Sequence, residues 1–245
     1  MRSSDQPPGR GVRFRRFIAA RIDPRSELGL RVTLNVVVCV AAVWALSGLL
    51  EEVLDQEALV RWDTRVEQWF HVHATPTGMA AFSVVTRFGS EVVWVLIALI
   101  ALLLWRRDEH YLIWTWLAAN LGGKVVQFAL KSTVHRSRPE YATVVLTHVS
   151  YSFPSGHAMG ATVCYLMLAY VLTSVGRWHG AACVAAYAVA AVIILLVTFS
   201  RLYLGVHYPS DVVGGILAGI AWLAACFTGL RVARGTRAAV AETAR

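Results

Sequence analysis

The chain reads as an all-α membrane protein: a polytopic helical bundle with about six transmembrane helices and one interfacial helix. Three observations carry that class. Of 245 residues, 57% are hydrophobic and 16% charged, with a mean hydropathy of +0.55; globular domains hold about a quarter charged residues. Apolar runs fall at 32–50, 90–105, 111–130, 157–175, 181–200 and 211–230, each near the roughly 20 residues that cross a bilayer. The formal charge of +8 gathers at the chain ends, with eight arginines between Arg2 and Arg31, and Arg231, Arg234, Arg237 and Arg245 at the other end.

Residues 1–31 are polar and arginine-rich and contain Pro7-Pro8-Gly9. No apolar core leads to a small-residue cleavage site, so they are expected to form a basic cytoplasmic tail rather than a signal peptide. The first run, 32–50, then serves as the membrane signal. Between the first two spans, Glu51 to Thr75 places Trp62, Val66, Trp69 and Phe70 at roughly helical spacing. That pattern predicts a half-buried helix at the membrane surface, and a plain packing helix fits equally. Residues 77–88 predict a helix, broken at Gly89-Ser90, that precedes or extends the short second span. Residues 32–230 form one six-span domain, and 231–245 form a second basic cytoplasmic tail.

Orientation follows from charge. The tails, Arg106-Arg107 and Arg177 are basic, whereas the first loop carries Glu51, Glu52, Asp55, Glu57, Asp63 and Glu67 against Arg61 and Arg65. Both termini are therefore expected in the cytoplasm. Basic tails of this kind suit anionic headgroups. No basic groove interleaved with aromatics is present, so nucleic acid is not an expected partner. Cys39, Cys164, Cys183 and Cys226 lie within apolar runs without a CxxC-type pair, as small hydrophobes would.

Three clusters carry chemistry, and six spans place all of them at the outer face: Lys131…Arg138-Pro139, Pro154-Ser155-Gly156-His157, and Ser200-Arg201…His207…Asp211. Polar groups this close to a bilayer are expensive to keep. Lys131, Arg138 and Arg201 are fixed cations of the kind that stabilise the equatorial oxygens of a phosphoryl group in transfer. Taken alone, Lys131 and Arg138 equally suit helix caps; Arg136 is a weaker cation candidate, suited to a headgroup contact. Lys124, two turns inside its span, is expected to snorkel or pair, or to support Lys131. Ser155 is a good N-cap, and Gly156 lets backbone approach an anion at a helix start. His157 is placed to give a proton to a departing alkoxide and later to activate water. His207 can attack phosphorus if its other ring nitrogen is held by a carboxylate, and Asp211 lies one helical turn on.

The pattern KxxxxxxRP, PSGH, SRxxxxxHxxxD resembles the type 2 phosphatidic acid phosphatase superfamily, with no signature position altered. The resemblance implies His207 as the nucleophile of a phosphohistidine, Asp211 as its orienting carboxylate and His157 as general acid. It likewise implies Lys131, Arg138, Arg201, Ser155 and Gly156 as the phosphate cradle, and no metal or other cofactor. The implied activity is a membrane lipid phosphatase acting at the outer face. Candidate substrates are phosphatidylglycerophosphate, phosphatidate and an undecaprenyl-type pyrophosphate. The same residues would serve a phosphotransferase that passes the group to another lipid or sugar; a non-catalytic lipid-binding protein should have lost His207, His157 or Asp211. His71 and His73 read as surface or interfacial residues, His110 and His179 as residues of cytoplasmic turns. His135 and His148 lie in or beside the segment joining the first two clusters, whose stretch from Glu140 to Tyr151 is placed to act as a lid or headgroup selector.

Overall fold

The computed structural model describes residues 29–55, 58–140 and 150–243, and regular structure among them is helical throughout. The order is α1 (Leu30–Asp55), α2 (Ala58–His73), α3 (Pro76–Val85), a 3-10 turn (Thr86–Gly89), α4 (Glu91–Arg106), α5 (His110–Val134), α6 (Gly156–Val175), α7 (Ala181–Tyr203) and α8 (Pro209–Thr243). Residues 1–28, Glu57 and most of the proposed lid (141–149, with His148) lie outside the described residues.

Among the described residues, five stretches are long and apolar enough to cross a membrane: Leu30–Asp55, Pro76–Arg106, Gly156–Val175, Ala181–Tyr203 and Pro209–Ala233. The expected run at 111–130 is helix α5, 25 residues long, but it is not among them. Asn120, Lys124 and Gln127 dilute its apolarity, and α5 can carry them because it packs against α4, α6 and α8. The count of six spans is thus approximate. The second span does break where expected: α3 starts on Pro76, capped by Thr75 accepting from the Gly78 N–H at 3.1 Å, and gives way at Thr86–Gly89 to the 3-10 turn before α4.

The outer surface is apolar. On α1, Val36, Val37, Val40, Val43 and Trp44 are exposed, as are Val184, Val189, Val192 and Leu195 on α7. Helices that satisfy their backbone internally and show such faces belong in hydrocarbon. The inner core joins Val93 and Ile97 of α4, Trp116 of α5, Val163 and Met167 of α6 and Val197 of α7. Buried indoles find partners across helices: Trp116 donates to the Ile97 carbonyl at 3.0 Å, and Trp222 to the Ala119 carbonyl at 2.8 Å. Helices α6 and α8 meet backbone to backbone at Gly215, where a Cβ would lie 2.6 Å from the Ser155 carbonyl and 2.9 Å from the Ala158 methyl.

Helix α2 lies between the first two spans, where the interfacial helix is expected, with its indoles outward and two carboxylates inward. Trp62 and Trp69 are 51% and 56% exposed, whereas Asp63 and Glu67 are buried at 0% and 6%. The surface beneath α2 supplies the reason: it presents the Arg136 guanidinium and the Ser210 N–H, which bind Asp63. Indoles turned outward suit the headgroup level of a bilayer.

Candidate active site

The three clusters converge at one end of the bundle. Helix α5 ends at His135, whose left-handed backbone (φ 49°) turns the chain away from the helix axis. Where the chain re-enters at residues 150–152, the Ser152 N–H donates to the Arg136 carbonyl at 2.9 Å. Lys131 then donates to the Tyr151 carbonyl at 2.7 Å. Arg138 donates through Nε to the Ser150 carbonyl at 2.6 Å and through Nη1 to the Val206 carbonyl at 2.9 Å. One segment of backbone therefore holds both cations of the first cluster.

After α7, Gly205 adopts φ 63°, a conformation that favours glycine, and the reversal buries Val206 and His207 ahead of α8. His207 Nδ1 lies 3.3 Å from Asp211 Oδ2. A carboxylate only accepts, so Nδ1 carries the proton and Nε2 keeps its lone pair. Arg138 Nη1 faces that lone pair at 3.4 Å. Asp211 is fully buried and well supplied: Oδ2 also accepts from the Tyr208 N–H at 3.0 Å, and Oδ1 accepts from Arg136 Nη1 at 2.7 Å. Burial, and then the charges of Arg201, Arg138 and Lys131, hold His207 well below the ordinary imidazole value. Burial likewise lowers Arg138, with Asp211 working the other way. Burial also opposes the charge on Arg136, but Asp211 and Asp63 outweigh it and push the value up.

His157 stands in the first turn of α6, where α6 meets the 3-10 turn; a Cβ on Gly89 would lie 3.1 Å from His157 Cδ2. Arg201, only 5% exposed, donates from Nη1 to Thr86 Oγ1 of the same turn at 2.6 Å. His157 lies within electrostatic range of Arg201, His207 and Arg138. Among the described residues, Arg201 Nε and Ser155 Oγ are buried without a hydrogen-bond partner. Beside Lys131 and Arg138, a cleft of about 780 Å³ opens past the exposed Phe128 ring. Among the described residues, no group of three or more His, Cys, Asp or Glu side chains converges as metal ligands would.

All eight residues named from the sequence lie in this region; the surroundings of Ser155, Gly156, Lys124 and Arg136 add detail. Ser155 occupies the N-cap of α6, but its hydroxyl makes no capping bond; the carbonyl–amide joint with α8 holds the helix start instead. A Cβ at Gly156 would meet the Gln127 side-chain amide at 2.3 Å. Lys124, expected to snorkel, to pair or to support Lys131, has its Nζ 5.6 Å from the centre of the Trp94 ring. Arg136, assigned above to a headgroup contact, is instead buried between Asp63 and Asp211, because two inward carboxylates outbid the membrane surface. The sequence reading missed Asp63, which looked like one more charge in an acidic loop, and Thr86 and Gly89, which read only as a helix break. For Asp63 the available signal was its place four residues before Glu67 on one helix face.

Comparison with known proteins follows the same architecture. The PAP2 superfamily profile matches residues 111–234. Phosphatidylglycerophosphatase B of Bacillus subtilis is 39% identical over 97 residues, 40% of this chain and 47% of that protein. The chain thus spans about half the length of that relative. Decaprenylphosphoryl-5-phosphoribose phosphatase of Mycobacterium tuberculosis is 31% identical over 152 residues, 59% of this chain and 76% of that protein. The crystal structure of a transmembrane PAP2-type phosphatidylglycerolphosphate phosphatase from Bacillus subtilis superimposes with a TM-score of 0.69 at 27% identity, over 77% of this chain and 93% of that one. A profile match over half of the chain, on a multi-pass helical bundle whose signature clusters meet in space, shows that this chain belongs to the PAP2 superfamily.

Proposed function

We propose that the chain is a membrane lipid phosphatase that works through a phosphohistidine at the outer membrane face, without a metal. One observation carries this reading: His207 is held by Asp211 at Nδ1, so that its Nε2 lone pair faces Arg138. Nε2 attacks phosphorus, and the P–N bond forms as the bond to the lipid oxygen breaks. The departing oxygen takes a proton from His157. That residue then removes a proton from water, whose oxygen attacks phosphorus and displaces His207 as inorganic phosphate forms. Asp211 holds the imidazole in place and balances the positive charge it gains. Lys131, Arg138 and Arg201, with Ser155 and the Gly156 backbone, hold the phosphoryl oxygens.

Candidate substrates are phosphatidylglycerophosphate, phosphatidate and an undecaprenyl-type pyrophosphate; the first is in keeping with the name of the Bacillus subtilis relative, and the last with that of a relative named undecaprenyl-diphosphatase. A lipid suits the cleft beside Phe128, since its tail stays among the helices and contributes about 0.8 kcal/mol per buried methylene. The basic tails and the acidic first loop support cytoplasmic termini and a site at the outer face. The test is phosphate release by detergent-purified protein, with chelator present, from a panel of lipid phosphates and pyrophosphates, beside His207→Ala. Release that vanishes in the variant supports the reading; no release from any lipid by the folded protein removes it.

A further inference from the structure

We infer that Asp63 and Arg136 are positioning residues for this reaction, a clamp by which helix α2 aims the Asp211 carboxylate at His207. The inference rests on the function proposed above. Arg136 reaches across the site with both ends of its guanidinium. Nη2 donates to Asp63 Oδ2 at 2.8 Å, and Nη1 to Asp211 Oδ1 and to Ser210 Oγ, each at 2.7 Å. Asp63 in turn accepts from the Ser210 N–H at 3.0 Å and from the Ser210 hydroxyl. The guanidinium lies 4.4 Å from the centre of the Tyr208 ring. The clamp therefore grips residues 208, 210 and 211, the short turn that carries His207 into α8.

Both carboxylates are completely buried, and the Arg136 side chain is 10% exposed. Charges taken that far from water are poor devices for stability alone, because well-packed apolar groups serve as well. What the arrangement supplies is direction. With Oδ1 of Asp211 taken by Arg136, Oδ2 is left to the Tyr208 N–H and to His207 Nδ1. A planar fork is needed to span two carboxylates; an ammonium is a single point charge and cannot reproduce it. Among the described residues the guanidinium hydrogen-bonds to Asp63, Ser210 and Asp211, so its effect on the reaction runs through the turn that carries Asp211.

The charged and titratable groups facing Asp211 are Arg136, His207, Tyr208, Lys131 and Arg138. Removing Arg136 leaves two buried carboxylates sharing no guanidinium, and a proton on the pair at neutral pH costs less than two charges. Loss of activity in Arg136→Gln should then be deepest at neutral pH and recover as pH rises. Arg136→Lys keeps the charge but not the fork, so its loss should be smaller and independent of pH.

The experiment follows phosphatidate hydrolysis across pH by wild type, R136Q and R136K, with melting of each protein in detergent. At pH about 7 we expect kcat about 100-fold down in R136Q and about tenfold down in R136K, with KM changed less than about twofold in both. R136Q should regain activity toward alkaline pH, and R136K should melt close to wild type. Wild-type kcat in R136K, or loss in both variants that is equal at every pH and accompanies a lost melting transition, would overturn the clamp. Failure of wild type itself to release phosphate would instead remove the underlying function.

Discussion

The Ser155 N–H donates to the Asp211 carbonyl at 2.9 Å, so α6 and α8 begin from one joint. Through that joint, the turn that presents His157 is tied to the helix start that presents the carboxylate. Sequence separates these motifs by more than fifty positions; the fold makes them one unit.

The first prediction concerns Asp211. Asp211→Asn keeps size and most contacts but lets the side chain donate as well as accept, so His207 loses the partner that fixes its tautomer. We expect kcat to fall by about 10³–10⁴-fold with KM little changed, as for an orienting carboxylate in other nucleophile–base systems. A variant that loses KM and keeps kcat would place Asp211 in binding instead.

Protonation of His207 gives a second prediction. Its value in the folded protein is depressed by burial and by Arg201, Arg138 and Lys131, whereas the unfolded value is near the usual figure of about 6.5. On acidification the unfolded chain takes up this proton first. The residue's contribution to stability is therefore complete above pH about 6.5 and is lost as pH falls below it toward the folded value. The His207 imidazole NMR signal, assigned by its loss in His207→Ala, should remain that of a neutral ring from pH about 8 to about 6. A titration midpoint at or above the ordinary value would contradict the electrostatics described here.

The members of the candidate site were legible in sequence because each cluster is local: Pro154 to His157 is one turn, and His207 to Asp211 is another. Spacing alone then supplied the helix starts. What stayed hidden depends on contacts between distant parts of the chain. Asp63 and Arg136 are 73 positions apart, and an aspartate between two spans reads as a solvated charge until its partner is seen. Which face of α2 turns inward has the same origin, since Trp62 and Trp69 have a rational place on either face. Helix α5 was legible as a helix from its apolar run, but Asn120 and Lys124 keep it from matching the other spans, and only its neighbours explain why they are tolerated.

Gly89 supports a third prediction. A Cβ there would lie 2.6 Å from Val197 Cγ1 and 3.1 Å from His157 Cδ2, so an added methyl must push α7, α6 or the turn itself. Gly89→Ala should cost about 1–3 kcal/mol of stability, as overpacking does, and should displace His157 from its place beside the Arg201–Thr86 pair. Gly48 on α1, with nothing within 4 Å of its would-be Cβ, is the control: Gly48→Ala should leave melting and turnover unchanged. Equal behaviour of the two variants would show that the 3-10 turn does not position the site.

The assignment of His157 as acid is tested through the leaving group rather than through the size of the defect. An acid that protonates the departing oxygen matters most when that oxygen is a poor leaving group, and little when it departs easily as an anion. An alkyl phosphate such as phosphatidate belongs to the first class, and an aryl phosphate carrying nitro groups to the second. His157→Ala should therefore slow phosphatidate hydrolysis by about 10²–10⁴-fold, the usual worth of a positioned acid, while the activated aryl ester suffers far less. The aryl ester also controls for folding, since a distorted cradle would slow both substrates alike. Equal slowing would take the proton-transfer role from His157 and leave it as one more group packed against Gly89.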